Sequence, residues 1–231
     1  MPFNEFGQPV GVAVDWTPGE RLVPVTLTGR TCRLEPLGEE HVDGLFAALC
    51  VDSPPSLWTY MPSGPYADRG QFAASLEALG AIPAMVPLAV LLPDGTPVGI
   101  ATFLRIDHAN GTAEVGYISY GSALQRTTAA TETMYLMAAH AFDTIGVRRY
   151  EWKCDALNAP SRSAAARLGF TYEGTFRQAV VTKGRNRDTA WFAITDDEWP
   201  RLRSAFEAWL DPANFDEAGH QRSRLQDLLP D

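Results

Sequence analysis

Two turn signals set close together decide much of what this chain can become. Between Met85 and Tyr120 the sequence reads MVPLAVLL, PDGT, VGIATFLRI, DHANG and TAEVGYISY. Runs of β-branched and aromatic residues joined by such short turns form an antiparallel meander, because a parallel connection needs a much longer crossover. The pattern changes after Ser122. LQRTTAATE (Leu124–Glu132) leads into the apolar run TMYLMAAHAFDTIG (Thr133–Gly146), and from Thr127 onward a helix of about five turns is expected.

The flanking segments extend this frame. Residues 1–28 are rich in Gly and Pro without sustained periodicity, so they read as an extended arm lying on the domain or on a partner chain. CRLEPL after Thr31 is a short strand. Glu39–Leu49 is an amphipathic helix, with His41, Val42, Leu45, Phe46 and Leu49 at three-and-four spacing. Residues 51–66, proline-rich and carrying LWTYMP, form a long loop whose exposed aromatics suit a binding lid. Asp68 caps a second helix, Arg69–Leu79. After the long helix come a strand (Arg148–Ala156), a helix (Ala159–Gly169) stopped by its glycine, two strands, a helix (DEWPRLRSAFEAWL) and a polar tail. The class is mixed α/β.

Composition excludes several functions. A net charge of −9 and a pI near 4.9 argue against nucleic acid or an anionic membrane as partner. Cys32, Cys50 and Cys154 contain no CxxC pair, and His41, His108, His140 and His220 have no ligand spacing, so neither a metal site nor a disulfide framework is expected. No leader or membrane span is read from the chain, and a cytoplasmic setting is the expectation.

The junction LQRTTAATE has two readings. A helix start leaves backbone N–H groups without intrahelical partners and carries partial positive charge, so small residues there admit a phosphate. Arg126 would add a full charge, and Thr127, Thr128 and Thr131 would add hydroxyls. Equally, Thr127 or Thr128 caps the helix and Arg126 is a solvated surface residue.

The junction does not stand alone. Gln125-Arg126-Thr127-Thr128-Ala129-Ala130 followed by Thr131-Glu132 resembles the pyrophosphate loop of the GNAT superfamily of acyl-CoA-dependent N-acyltransferases, Q/R-x-x-G-x-G/A. The match continues through Asn158, Ser161, Leu168-Gly169-Phe170, Glu173-Gly174, Arg177, Arg187-Asp188-Thr189, Phe192 and Glu198-Trp199. The whole is similar to the branch containing ribosomal-protein N-terminal acetyltransferases. One departure is Thr128, where the loop pattern has its first glycine. Its hydroxyl takes over a phosphate hydrogen bond, or its side chain restricts close backbone approach and weakens binding.

The resemblance implies a GNAT domain over 29–199, with the arm before it and a C-terminal helix and tail (200–231) packed on the same domain. It implies a mostly antiparallel twisted sheet, splayed at the cofactor site and flanked by helices. It implies acetyl-CoA as co-substrate, with no metal, held by the backbone of Tyr117, Ile118 and Ser119, by residues Gln125–Ala130, and by Asn158 and Ser161. Glu114 is the candidate general base, with Glu173 behind it. Ser161 is the candidate acid for the leaving thiolate, with Tyr117 and Tyr172 as alternatives. Nothing suits a covalent acyl-enzyme, since Cys154 has no nearby His in sequence. Trp58, Tyr60, Tyr66 and Arg177 would line the acceptor side, and Arg177, Lys183, Arg185 and Arg187 are either a solvated hairpin or a patch for an acidic group. The acceptor is a protein N-terminal amine or a small-molecule amine. The rival readings are a catalytically silent acyl-CoA sensor or assembly module, and a structural homodimer paired through the arm and the Trp199–Leu210 helix.

Overall fold

In the computed structural model, which describes residues 1–229, the meander forms the middle of one eight-stranded sheet. Its strands are β1 (Leu27–Thr28), β2 (Arg33–Pro36), β3 (Val86–Leu91), β4 (Pro97–Asp107), β5 (Thr112–Tyr120), β6 (Arg149–Asp155), β7 (Thr171–Thr182) and β8 (Arg185–Thr195), in the order β1-β2-β3-β4-β5-β6-β8-β7. Every neighbouring pair is antiparallel except β5–β6. That parallel pair needs a crossover, supplied by α3 (Thr128–Ala139) and its π-helical extension His140–Ile145. The helix stops at Gly146, which takes a left-handed φ of 73°. The remaining helices are α1 (Val42–Phe46), α2 (Arg69–Gly80), α4 (Ala159–Arg167), α5 (Trp199–Leu210) and α6 (Leu225–Leu228).

The continuous apolar run of β3 reflects burial on both faces. Leu88 and Val90 enter the larger core with Phe103, Tyr150, Trp152, Phe192 and Met137. Ala89 and Leu91 enter a smaller one with Leu45, Leu49, Phe72 and Leu76 from the first helices. The buried strand residues of this second layer come from β3 and β4, with the partly buried Tyr117 of β5 packed against them. The same face of β5, β6 and β8 carries Glu114, Arg149, Glu151 and Lys153 beside Trp191 and Ala193, and the candidate site lies there.

Several expectations change. The helix at Glu39–Leu49 is a composite: a 3-10 turn (Glu39–His41), α1, and a π turn (Ala47–Val51). β1 lies inside the stretch read as arm, and the tail read as polar ends in a helix whose Leu225 is fully buried. The pairing role given to the Trp199–Leu210 helix is corrected, because its apolar face is already used: Trp199, Leu202, Phe206 and Trp209 are buried in the main core, with Trp199 stacked on Phe142 at 5.1 Å. Asp68 does cap α2, accepting from Gln71 N at 2.9 Å.

One contact ties the first strands to the crossover helix. The Glu132 carboxylate, buried on α3, accepts the N–H groups of Arg30 at 2.8 Å and Thr31 at 2.6 Å and the Thr31 hydroxyl. Cys32 lies beside it, and burial pushes that thiol up to about 12. Glu132→Ala leaves these donors without an acceptor. Unfolding free energy from urea melts should fall by about 2–4 kcal/mol; a loss below about 0.5 kcal/mol would mean that water replaces the carboxylate.

Candidate active site

The site begins where β5 and β6 part. They pair only through Thr112–Val115 and Arg149–Trp152. Beyond that, β6 continues to Asp155 against β8, while β5 carries an extra residue between its pairings to Thr102 and Ile100. The bulge falls at Tyr117, whose φ of 47° is rare for a bulky residue and turns the strand. A wedge opens as a result, and the β6-facing backbone groups of Gly116–Tyr120 have no strand partner. Ile118 is half-buried against the main core and Ser119 is fully buried.

The wedge leads to the start of α3. Gly121 closes the turn, accepting from Leu124 N and Gln125 N at 2.9 and 3.1 Å. A Cβ there would meet Ala48 O at 2.9 Å and Val98 O at 3.0 Å, so only glycine fits. Arg126 then takes a φ of 62° and is exposed. Thr127 is the N-cap: its Oγ1 accepts from Ala130 N at 3.2 Å and donates to Leu124 O at 2.7 Å. The capping reading of the junction therefore holds for Thr127. The Thr127 hydroxyl and the Ala130 N–H are spent on the cap, Gln125 Nε2 is held by Tyr120 O at 2.7 Å, and the buried Thr131 accepts from Arg167 at 3.1 Å, away from the loop. The N–H groups of Arg126, Thr128 and Ala129 and the Thr128 hydroxyl have no acceptor or donor partner among the described residues. These orphaned groups fit an anion.

α4 forms the opposite wall. Asn158 caps it, its Oδ1 accepting from Ser161 N at 3.1 Å, which leaves Nδ2 free. Ser161 Oγ accepts from Trp152 Nε1 at 3.0 Å, so the serine proton remains to be donated. Cys154 sits alongside, with its thiol raised by burial and hence un-ionised.

The open sheet face carries a charged network that sequence reasoning missed apart from Glu114 and Glu173. In RRYEWKCDA the alternate residues Tyr150, Trp152 and Cys154 enter the core, so Arg149, Glu151 and Lys153 all point the other way; period two was the available signal. Lys153 Nζ lies 2.9 Å from Glu114 Oε2, 2.6 Å from Glu151 Oε2, and 3.7 Å from the centre of the Trp191 ring. Burial raises the Glu114 carboxyl above its ordinary range while Lys153 pulls it down; the contact is an ion pair without hydrogen-bond alignment. Glu173 is bound by both terminal nitrogens of Arg149, which fits a structural role.

The 51–66 loop covers this face from the other side. Trp58 is not the exposed lid aromatic expected of it: it is buried in the second core, edge-on to Tyr66 at 5.1 Å, with its indole donating to Leu49 O. Tyr60 and Tyr66 are half-buried. Tyr60 donates to Leu157 O at 3.1 Å, and Tyr66 to Ser63 at 2.7 Å, with Ser63 3.1 Å from the Tyr117 hydroxyl. Lys183, at the tip of the β7–β8 hairpin, donates to Trp58 O at 2.7 Å and so joins hairpin to loop. Arg177 sits in a second bulge, exposed, where Gln178 N is held by Asp188 at 2.7 Å. The basic residues of the hairpin therefore do not converge on one point.

Residues 32–171 match the family model described as acetyltransferase (GNAT) domain. The chain belongs to the GNAT acetyltransferase family. It is similar over nearly its whole length to a GCN5-related N-acetyltransferase from Brucella melitensis, at 44% identity, with 93% of this chain and 98% of that one covered and a TM-score of 0.90. Among curated GNAT relatives, the ribosomal-protein-serine acetyltransferase of Escherichia coli is 32% identical over 42% of this chain and 53% of its own. The chain spans a little over half the length of the curated relatives it matches. A Mycobacterium smegmatis RimJ structure in complex with CoA-disulfide shares the fold, with a TM-score of 0.63 at 22% identity. Among the described residues of this GNAT chain, no group of three or more His, Cys, Asp or Glu could hold a metal, and no helix is long and apolar enough to cross a membrane.

The Lys153–Glu114 pair yields a pH-dependent prediction. Burial sets the folded-state pKa of Glu114 above its unfolded value, so its unfavourable balance grows as pH rises through the raised pKa and disappears once the carboxyl is protonated. Lys153→Met removes the nearest positive charge. Stability should fall by about 3–5 kcal/mol near pH 8, with a much smaller loss near pH 4.5, in paired urea melts of variant and parent. An equal loss at both values would mean that Lys153 matters through packing alone.

Proposed function

We propose that this chain is an N-acetyltransferase that uses acetyl-CoA and transfers the acetyl group directly to a primary amine. The reading rests chiefly on one observation: the β5–β6 wedge runs straight to the orphaned N–H groups of Arg126, Thr128 and Ala129. The diphosphate would lie on those groups beside Arg126, with the Thr128 hydroxyl as a further donor in place of the loop glycine's open approach. The unpaired backbone of Tyr117, Ile118 and Ser119 would hold the pantetheine amides, aided by Asn158 Nδ2. When bound, acetyl-CoA supplies an activated acetyl thioester.

The chain's own groups supply the proton transfers. An amine reaches the wedge mostly as ammonium near pH 7 and must lose a proton. Glu114, its carboxyl raised above the ordinary range by burial, would accept it directly or through one water. Ser161, its oxygen already engaged by the Trp152 indole, would pass to the departing thiolate the second proton that the attacking nitrogen sheds as it becomes an amide, and so would end protonated as it began. Tyr117 is held by Ser63 and has its phenol raised by burial, which suits it to positioning the loop more than to acid catalysis. Tyr60 and Tyr66 border the acceptor side. The name of the Escherichia coli relative makes a protein N-terminus the first acceptor to try, with small amines second.

Calorimetry with acetyl-CoA, followed by thiol release across free-N-terminal peptides and small amines, tests the reading. Binding with turnover of at least one amine supports it. No heat up to millimolar cofactor would remove it, and binding without thiol release would favour the silent acyl-CoA-binding module. Arg126→Ala should weaken CoA binding about tenfold at low salt and less at high salt; unchanged affinity would place Arg126 outside the phosphate contact. Glu114→Gln should lower kcat by about 10²–10⁴-fold. It should also abolish the rise in rate that the parent shows as pH passes through the raised carboxyl pKa, and a retained rise would assign the base elsewhere.

A further inference from the structure

Exposed apolar side chains are concentrated on two elements. Of the fourteen large hydrophobic residues that stand exposed, six lie between Met1 and Val14 and four lie on β7: Tyr172, Phe176, Val180 and Val181. Each element also has backbone groups without a partner among the described residues. β7 is the last strand of the sheet, so its outer edge has no strand partner, and register shifts at Tyr172–Gly174 and Phe176–Val180 divide that edge, leaving Val180–Thr182 as its regular end. In the arm, a small turn closes with a Phe3–Pro9 bridge and a bond from Val10 N to Pro2 O. From Gly11 to Asp15, no backbone partner exists among the described residues. That stretch reads VGVAVD from Val10, an alternation in which Val10, Val12 and Val14 share one face as strand residues do. All three valines are exposed.

We propose that residues 10–15 of the arm add as a ninth strand to the β7 edge of a second copy of this chain. The exchange is reciprocal, so each copy gives an arm and receives one, closing a two-fold dimer. Charge favours this occupant. The first twenty residues carry Glu5, Asp15 and Glu20 and no Lys or Arg, whereas the β7–β8 hairpin carries Arg177, Lys183, Arg185 and Arg187 against Glu173 and Asp188. The complementarity is between the acidic arm and the hairpin as a whole, since β7 itself carries only Glu173 and Arg177 while Lys183 lies in the turn and Arg185 and Arg187 on β8. Anchorage favours it as well: Trp16 is fixed by its indole bond to Gly146 O at 2.8 Å and by packing on Gly111, so residues 10–15 leave the body from a fixed point. The pairing would also bury an edge and an apolar strip that otherwise invite aggregation.

Sedimentation in the micromolar range should show a dimer that weakens as salt rises. Of two arm variants that remove oppositely directed strand N–H groups, Val12→Pro and Ala13→Pro, at least one should weaken dimerisation at least about tenfold, while both leave the circular dichroism of the fold unchanged. To separate pairing between copies from folding back, a tagged chain bearing Val12→Cys is mixed with an untagged chain bearing Val181→Cys under mild oxidation. A mixed two-chain disulfide that forms for this pair and not for either parent alone supports the proposal. A monomer at every concentration would overturn it, as would a dimer indifferent to both prolines. So would cross-linking found only within single chains that carry both cysteines.

Discussion

The short parallel contact between β5 and β6 is the constraint on which the rest depends. Four residues on each strand hold the two halves of the sheet together, and the bulge at Tyr117 then turns β5 away. A longer pairing would satisfy more backbone groups, but it would close the wedge and leave α3 pointing into a filled sheet. The fold thus leaves strand hydrogen bonds unmade at its centre. The cost is contained because β5 remains fastened to β4 and β6 to β8 on their other sides.

Around that opening, polar contacts supplement the apolar cores in fixing neighbouring elements to one another. Glu132 holds the β1–β2 turn to the crossover helix, Ser53 joins the 51–66 loop to Ser122, and Lys183 joins the hairpin tip to Trp58. The larger core lies on one face of the sheet and anchors α3 and α5; the smaller one packs the first helices and Trp58 on β3 and β4, with Tyr117 of β5 at its margin. The charged face between them holds Glu114, Glu151 and Lys153 at low exposure, where removing one partner strands another. Electrostatics there sets the protonation of Glu114, and the scaffold sets where that carboxyl stands.

Much of the architecture was legible because local chemistry and tertiary packing agree. The meander, the helix start at Thr127, the Asp68 cap and the Gly169 stop follow from turn residues, capping side chains and hydrophobic period. Where they disagree, the reading failed for identifiable reasons. Trp58 sits in a proline-rich loop, which looks solvent-facing in sequence, but a 3-10 turn over Pro55–Trp58 drops its indole into the second core. The terminal helix offers an apolar stripe that suits a partner chain as well as its own core, and only packing could choose.

By itself, the sequence determined the class of fold, the position of the cofactor-like loop and the residue types at its rim, since these are encoded in spacing along one stretch of chain. The tertiary structure alone decided which of those groups are free. The Thr127 hydroxyl and the Ala130 N–H consume each other in the cap, while the N–H groups of Arg126, Thr128 and Ala129 stay unpaired. It also decided that Glu114 faces Lys153 across the parallel strands, a contact between positions thirty-nine residues apart that no local pattern encodes. Side-chain availability depends on through-space neighbours, and those neighbours are fixed only once the sheet has closed.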